Sequence, residues 1–571
     1  MPRSTINGTA IDLDGKEMIL DADQDTTITV ATDDQIDIKI AGSDKLVISS
    51  TSHLSTTTAG TSNLVLGVNA GNSILDGGNY NVALGDEAGT ALTTGDENTF
   101  VGYNSGAANT TGQRNVVVGA SAGDALVGGQ QNTAIGRTAL SADTEGQRSV
   151  AVGTGALQTQ NFSSATQVYH TAVGHSAGLS VTTGQQNTLI GGLAGDALTD
   201  ADYNVAIGYN ALTTDTLGNK STAIGRNALT SQNQTSAADT NNVAVGYNTG
   251  QAVTTGIQNT LIGASAGDAL TEGKENVAVG MEALTADTLG KRSTALGKSA
   301  LNAQNFSSST DAYNTAVGFQ SGNAVTTGTL NTFVGALSGY GSDDGAGNTA
   351  VGYFSQGANA GNNNTSVGRY SLQNSTGSNN TGIGDQAGVS QTSGGNNLFL
   401  GKDAGFTGSP GGNITTANNI ICIGDENITA ANIQVSLTVA SDQRDKTDFT
   451  PLDVGLDFVK QLNPVTYKWD KRSNYGDKSL KDYDLNAQTP DGTHKEDWLD
   501  VGFKAQEVEA LEKAAGYKIA DKTNLTTTLS DDGKQYGMQY EKFIPILVKA
   551  VQELSAKNDA LEARIKKLED G

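Results

Sequence analysis

A serine and a lysine five residues apart, Ser441 and Lys446, carry the side chains in this sequence best suited to covalent chemistry. They open and close the string Ser441-Asp442-Gln443-Arg444-Asp445-Lys446. A serine hydroxyl is a weak nucleophile until a base takes its proton. Lysine is such a base only when neutral, and a free lysine has a pKa of about 10.4. Burial or a nearby cation favours the neutral amine, and Arg444 is the cation this string supplies. On its own the string reads as an exposed polar turn or a helix cap. Its position argues for more, because it lies where one kind of protein gives way to another.

That junction is visible in composition. The chain has 571 residues, 72 of them Gly and only 6 Pro, and a net charge of −25. Both tryptophans, Trp469 and Trp498, follow Ser441, and no proline occurs between Arg3 and Ser409. Residues 1–440 carry 15 basic and 35 acidic side chains, against 20 and 25 in residues 441–571. An acidic chain without a basic face is a poor partner for phosphates, so nucleic acid is not an expected partner. The acidity suits a long fibre that must stay soluble. Cys422 is alone and reads as a small buried hydrophobe, not part of a disulfide or zinc framework. The start, Met1 to Gly8, has no apolar core, and no stretch approaches transmembrane length. Neither a signal peptide nor membrane insertion is expected, and synthesis is expected in a cytoplasm.

From Asn63 to Gly424 a phrase of the form Asn-Thr-Ala-Val-Gly recurs, as in Asn98-Thr99-Phe100-Val101-Gly102 and Asn314-Thr315-Ala316-Val317-Gly318. Its closing glycines usually step by 17, with a step of 21 at every fourth place, so that Gly102, Gly174, Gly246 and Gly318 are each 72 apart. A fixed period of this size means a solenoid. Alternation of small polar and apolar residues inside the phrase is strand-like, and the glycine load excludes helix. One chain of such coils buries a thin apolar stripe, which several chains side by side would share. The expected fold is mainly β: a long parallel β-roll or solenoid, trimeric, followed by a small α+β domain ending in a coiled-coil helix. Residues 1–60 form a separate β-rich attachment or initiation segment, with strand-like alternation over Thr26–Val30 and Gln35–Ile40. The solenoid spans 61–440 and the last domain 441–571. Asp124, Asp196 and Asp268, 72 apart, read as turn residues rather than glycosidase carboxylates. No metal site or cofactor is expected, since no loop has EF-hand or nonapeptide spacing.

The last domain closes, over about 540–570, with a heptad seam. Ile544, Val551, Asn558 and Ile565 take one position, and Leu547, Leu554, Leu561 and Leu568 the other. Leucine every seventh residue indicates a coiled coil. A β-branched residue opposite leucine leans towards dimers in isolated peptides, and Asn558 fixes register or strand number. The helix alone therefore leaves the number of strands open, and it could also pack on its own domain.

Four landmarks occur in one order: Ser441-Asp-x-Arg-x-Lys446, Leu462-Asn-Pro-Val-x-Tyr-x-Trp469, Gly502-Phe-x-Ala-Gln-Glu-Val508, and Ala550-Val-Gln-Glu-Leu554. Together they resemble the intramolecular chaperone auto-processing domain that ends phage tail spikes and fibres, including endosialidases, and occurs in myelin regulatory factor. The likeness covers essentially all of 441–571, with Lys504 standing where an aliphatic residue is usual. It implies a homotrimer whose domain guides folding of the preceding fibre and then cuts itself off. Carried over, the scissile bond is Ala440–Ser441, Ser441 is the nucleophile, Lys446 the base, and Asp442 and Arg444 support the site. The repeats are similar to the head repeats of trimeric bacterial adhesins, which form a left-handed parallel β-roll.

These resemblances imply a tail fibre or other virion appendage. Its N-terminal segment would attach to virion proteins, and its mature rod would bind a host surface receptor such as a glycan. Catalysis would be a single self-cleavage, with no activity in the mature fibre. An enzymatic tailspike acting on host polysaccharide would need aromatic platforms and irregular inserts that the regular coils lack. A trimeric cell-surface adhesin would need export and anchoring signals.

Overall fold

The computed structural model describes residues 18–20, 26–29, 36–40, 43–48, 54–56, 58–434, 437–478, 480 and 482–571. Met1 to Gly8, Val30 and Gln35 lie outside the described residues. The chain divides into two compact units, Met1–Asn314 and Thr315–Gly571.

The first unit opens with five short antiparallel strands in sequence order, among them Thr27–Thr29 and Ile36–Ile40. The expected strands are present. Within Thr27–Thr29 the two threonines are buried and Ile28 is only half-buried, the reverse of an apolar-in pattern.

Both units are dominated by a mainly β architecture: a parallel β-solenoid of about twenty turns, each contributing one three-residue strand. Consecutive strands stack in register, so that Thr99, Phe100 and Val101 lie beside Val116, Val117 and Val118. The middle residue of each strand points inward, and Phe100, Val117, Ala134 and Ala151 are fully buried. Alternation in the sequence phrase is thus the alternation of the pleat. The closing glycine is obligatory for the same stacking. A Cβ on Gly102, at φ +128°, would sit 2.8 Å from the carbonyl of Gly119 in the next coil.

The asparagine that opens most phrases is buried and spans two coils. Asn98 donates from Nδ2 to the Gly112 carbonyl at 2.9 Å, and its Oδ1 accepts the Asn115 N–H at 3.0 Å. Each side chain therefore satisfies two backbone groups of the next turn, as buried polar groups must be satisfied. Where the step is 21, a buried aspartate secures the insert. Asp143 accepts from the N–H of Gly146 and of Phe162 and from Gln160 Nε2, and Asp287 repeats these bonds with Gly290, Phe306 and Gln304. Burial raises both carboxyls. Asp124 and Asp196 lie in turns, accepting from Asn104 and Thr213 respectively.

One rung of the ladder is a histidine. His170 is 1% exposed; its Nδ1 accepts the Asn187 N–H at 3.0 Å, and its Nε2 hydrogen-bonds the Gly184 carbonyl at 2.8 Å. The neutral ring reproduces asparagine's acceptor and donor, but a proton on Nδ1 would face another N–H. Desolvation accordingly lowers its pKa from 6.5 to about 4. The stability that the neutral ring contributes is whole above pH 6.5 and is lost as pH falls towards 4, because the unfolded chain protonates first. A difference of that size is worth about 3 kcal/mol. His170→Asn is expected to remove this acid sensitivity. Denaturant midpoints of both proteins should diverge between pH 6.5 and 4 in favour of the variant.

In many turns core volume is balanced between two places six residues apart. Where the strand centre is large, as at Phe100, the residue six further on is glycine; a Cβ on Gly106 would lie 2.5 Å from that ring. Where the centre is Ala134 or Ala151, the same place holds Leu140 or Leu157, fully buried at φ +54° and +49°. Phe100→Ala should cost about 3–5 kcal/mol. Adding Gly106→Leu recreates the Ala134/Leu140 arrangement and should return most of that loss, read as the denaturant midpoint of the double variant.

After the last solenoid strand, Ile421–Ile423, the second unit continues into a small α+β domain. It contains α1 (Leu456–Val459), α2 (Ala505–Ala514) and α3 (Phe543–Glu569). Val465–Tyr467 pairs antiparallel with Asp500–Gly502, and Thr527–Leu529 with Tyr536–Met538. Val454, Phe458, Val508, Phe543 and Ile546 form its core. Glu512 of α2, almost wholly buried, accepts from the N–H and hydroxyl of both Thr526 and Thr527 and so ties the helix to the second strand pair. Glu553 of α3 accepts the Leu456 N–H at 2.7 Å and caps α1.

Candidate active site

The site is built on a short turn. Beyond the solenoid the described chain from Glu426 to Ala440 is without regular structure and largely exposed. At Asp442 it enters a 3-10 turn, Gln443–Asp445, whose N-cap Asp442 accepts the Arg444 N–H at 2.9 Å. The turn closes with the Lys446 N–H on the Gln443 carbonyl at 3.2 Å. One such turn carries residue 446 back over residue 441. Lys446 Nζ lies 2.5 Å from Ser441 Oγ and 3.4 Å from the Ser441 carbonyl oxygen.

The other two motif residues form a pair of their own. The Arg444 guanidinium grips the Asp442 carboxylate through Nε and Nη2, the latter at 2.6 Å. The guanidinium holds the Asp442 carboxyl below the usual range, and the carboxylate raises Arg444. The sequence suggested Arg444 as the cation acting on Lys446; in the single chain its charge is matched by Asp442. The pair fixes the turn that carries the serine and the lysine.

Residues 441–517 match the family model described as chaperone of endosialidase. The match begins at the serine itself and takes in α1, α2 and the first strand pair. The family so described is one of auto-processing chaperone domains, and the segment that follows the solenoid is similar to them. No curated protein matches the chain. Lys504, the departure from the usual aliphatic, is exposed and pairs with Glu507 at 2.7 Å.

All of the string from Ser441 to Lys446 is exposed in one chain. So is the heptad seam of α3: Ile544 is 61% exposed and Leu568 82%, with Leu547, Val551, Leu554, Asn558, Leu561 and Ile565 exposed between them. Only Phe543, Ile546 and Ala550 of this helix are buried against its own domain. Asn558 donates to Glu562 on the same helix at 3.1 Å. The alternative that the seam packs on its own domain is therefore not what the helix does. Sequence reasoning missed a second exposed apolar element: Ile433, Leu437 and Val439 are all exposed in the chain leading to Ser441. Among the described residues no three His, Cys, Asp or Glu side chains gather as metal ligands, and no helix is long and apolar enough to cross a membrane.

Proposed function

We propose that this chain is a virion tail fibre or related appendage, matured by one self-cleavage at Ala440–Ser441. The contact of Lys446 Nζ with Ser441 Oγ, at the first residue of the chaperone match, carries the reading. The serine follows the bond it attacks, so Oγ reaches the Ala440 carbonyl carbon through a five-membered ring. Neutral Lys446 takes the Oγ proton as the C–O bond forms. It then delivers that proton to the Ser441 nitrogen as the C–N bond breaks. The product is an Ala440 ester on the Ser441 side chain with a free α-amine. Water, with its proton taken by Lys446, hydrolyses the ester to the Ala440 carboxylate and restores the serine.

Lysine is a base only as the neutral amine, and desolvation favours that form. The exposed seam and the exposed apolar residues Ile433, Leu437 and Val439 before the cut would supply a source of burial when chains associate. Three copies packed along α3 would close over the turn, so that cutting follows correct assembly. The solenoid would then remain as the receptor-binding rod on a host surface, a glycan being one such receptor. The N-terminal strands would attach to other virion proteins. Peptide mapping of purified particles tests this: the fibre should end at Ala440, with no peptides from 441–571. Particles carrying the uncut chain would sink the maturation scheme.

A further inference from the structure

We propose that the chaperone domain is held on the last solenoid turn by an ionic clasp, so that its departure is a separate step from cutting. The residues that make the clasp come from opposite sides of the cut. Glu426, just after the last strand, is 8% exposed at its side chain and pairs with Lys478 of the domain. Lys471 Nζ donates to the Glu426 carbonyl at 2.6 Å and pairs with Glu496 at 3.1 Å. On a second side, the Asp532 carboxylate accepts the Asn413 N–H at 3.2 Å. The Ser530 side chain packs there so closely on the Gly412 backbone that a Cβ on Gly412 would lie 2.6 Å from Ser530 Cβ.

Among the described residues, the covalent connection takes no part in this contact. Ile428, Ile433, Leu437 and Val439 along the connecting stretch are all more than half exposed. Breaking the chain at 440 therefore removes none of the bonds above. Overall charge works against association, since residues 1–440 carry 15 basic and 35 acidic groups and 441–571 carry 20 and 25. The hold must be short-range, and removing one member of a largely buried pair leaves the other desolvated and unpaired.

The proposal rests on the cleavage reading for its timing alone, and two full-length proteins separate the ideas. One is the self-cutting wild type. The other is Ser441→Ala with a site-specific protease sequence inserted between Val439 and Ala440, nicked after assembly. With a tag on the C-terminal fragment, the two pieces should co-elute in both cases. Glu426→Gln should speed their separation about 100-fold, the effect of losing one partner of a buried pair. Lys478→Gln should do the same, and the charge exchange Glu426→Lys with Lys478→Glu should restore retention. Pieces that part as soon as they are cut, or a separation rate that Glu426→Gln changes less than twofold, would overturn the clasp. A wild type that stays whole while the nicked protein holds together would remove self-cleavage and leave the clasp standing.

Discussion

Ser441→Ala is expected to yield one full-length product where the wild-type chain yields fragments 1–440 and 441–571, read as intact mass directly after expression. The alanine removes the only atom of the turn that can attack Ala440 and leaves the Asp442–Arg444 fork in place. Loss should be complete on the timescale of the wild-type reaction, because removing a nucleophile commonly costs a factor of about a thousand or more. Lys446→Arg separates chemistry from scaffolding. Arginine keeps the positive charge and can still donate to Ser441, but it does not deprotonate in proteins. It should therefore stay uncut while assembling like the wild type. Cutting by Lys446→Arg at the wild-type rate would remove the lysine as base, even if Ser441→Ala proved inert.

The repeat was legible because its rules are local and periodic. Glycine every 17 residues marks where a coil's backbone meets the next, and the residue two before it, such as Phe100, fills the core. The compensation between Phe100 and Gly106, or Ala134 and Leu140, could not be read from the phrase. It depends on two places six residues apart facing the same interior volume, and on leucine accepting a left-handed backbone that usually favours glycine. His170 escaped notice for a related reason: only the ladder geometry shows that a neutral imidazole can replace an amide. The Ser441–Lys446 contact was accessible as a local turn. Glu553 on α1, Glu512 on Thr526 and Thr527, and Lys478 on Glu426 were not, because each joins residues brought together by tertiary packing and signalled by no spacing.

Replacing Leu554 and Leu561 together by aspartate should abolish assembly and cutting at once. Both side chains are exposed in the single chain, at 55% and 54%, so the domain's own core of Val454, Phe458, Val508, Phe543 and Ile546 is untouched. The helix should survive as well, since aspartate costs only about 0.7 kcal/mol or less per helical position. The loss falls on association. Burying a leucine is worth about 1.5–3 kcal/mol, and two per chain across three chains place the expected penalty well above the margin of most assemblies. A carboxylate forced into the seam would add its own desolvation cost. Light scattering coupled to gel filtration should show monomers, and intact mass should show an uncut chain although Ser441 and Lys446 are unaltered. Variant chains that remain oligomeric would displace the proposed trimer interface from α3. Monomers that cut as fast as wild type would break the link between assembly and cleavage, because the exposed lysine would then be competent with nothing packed over it.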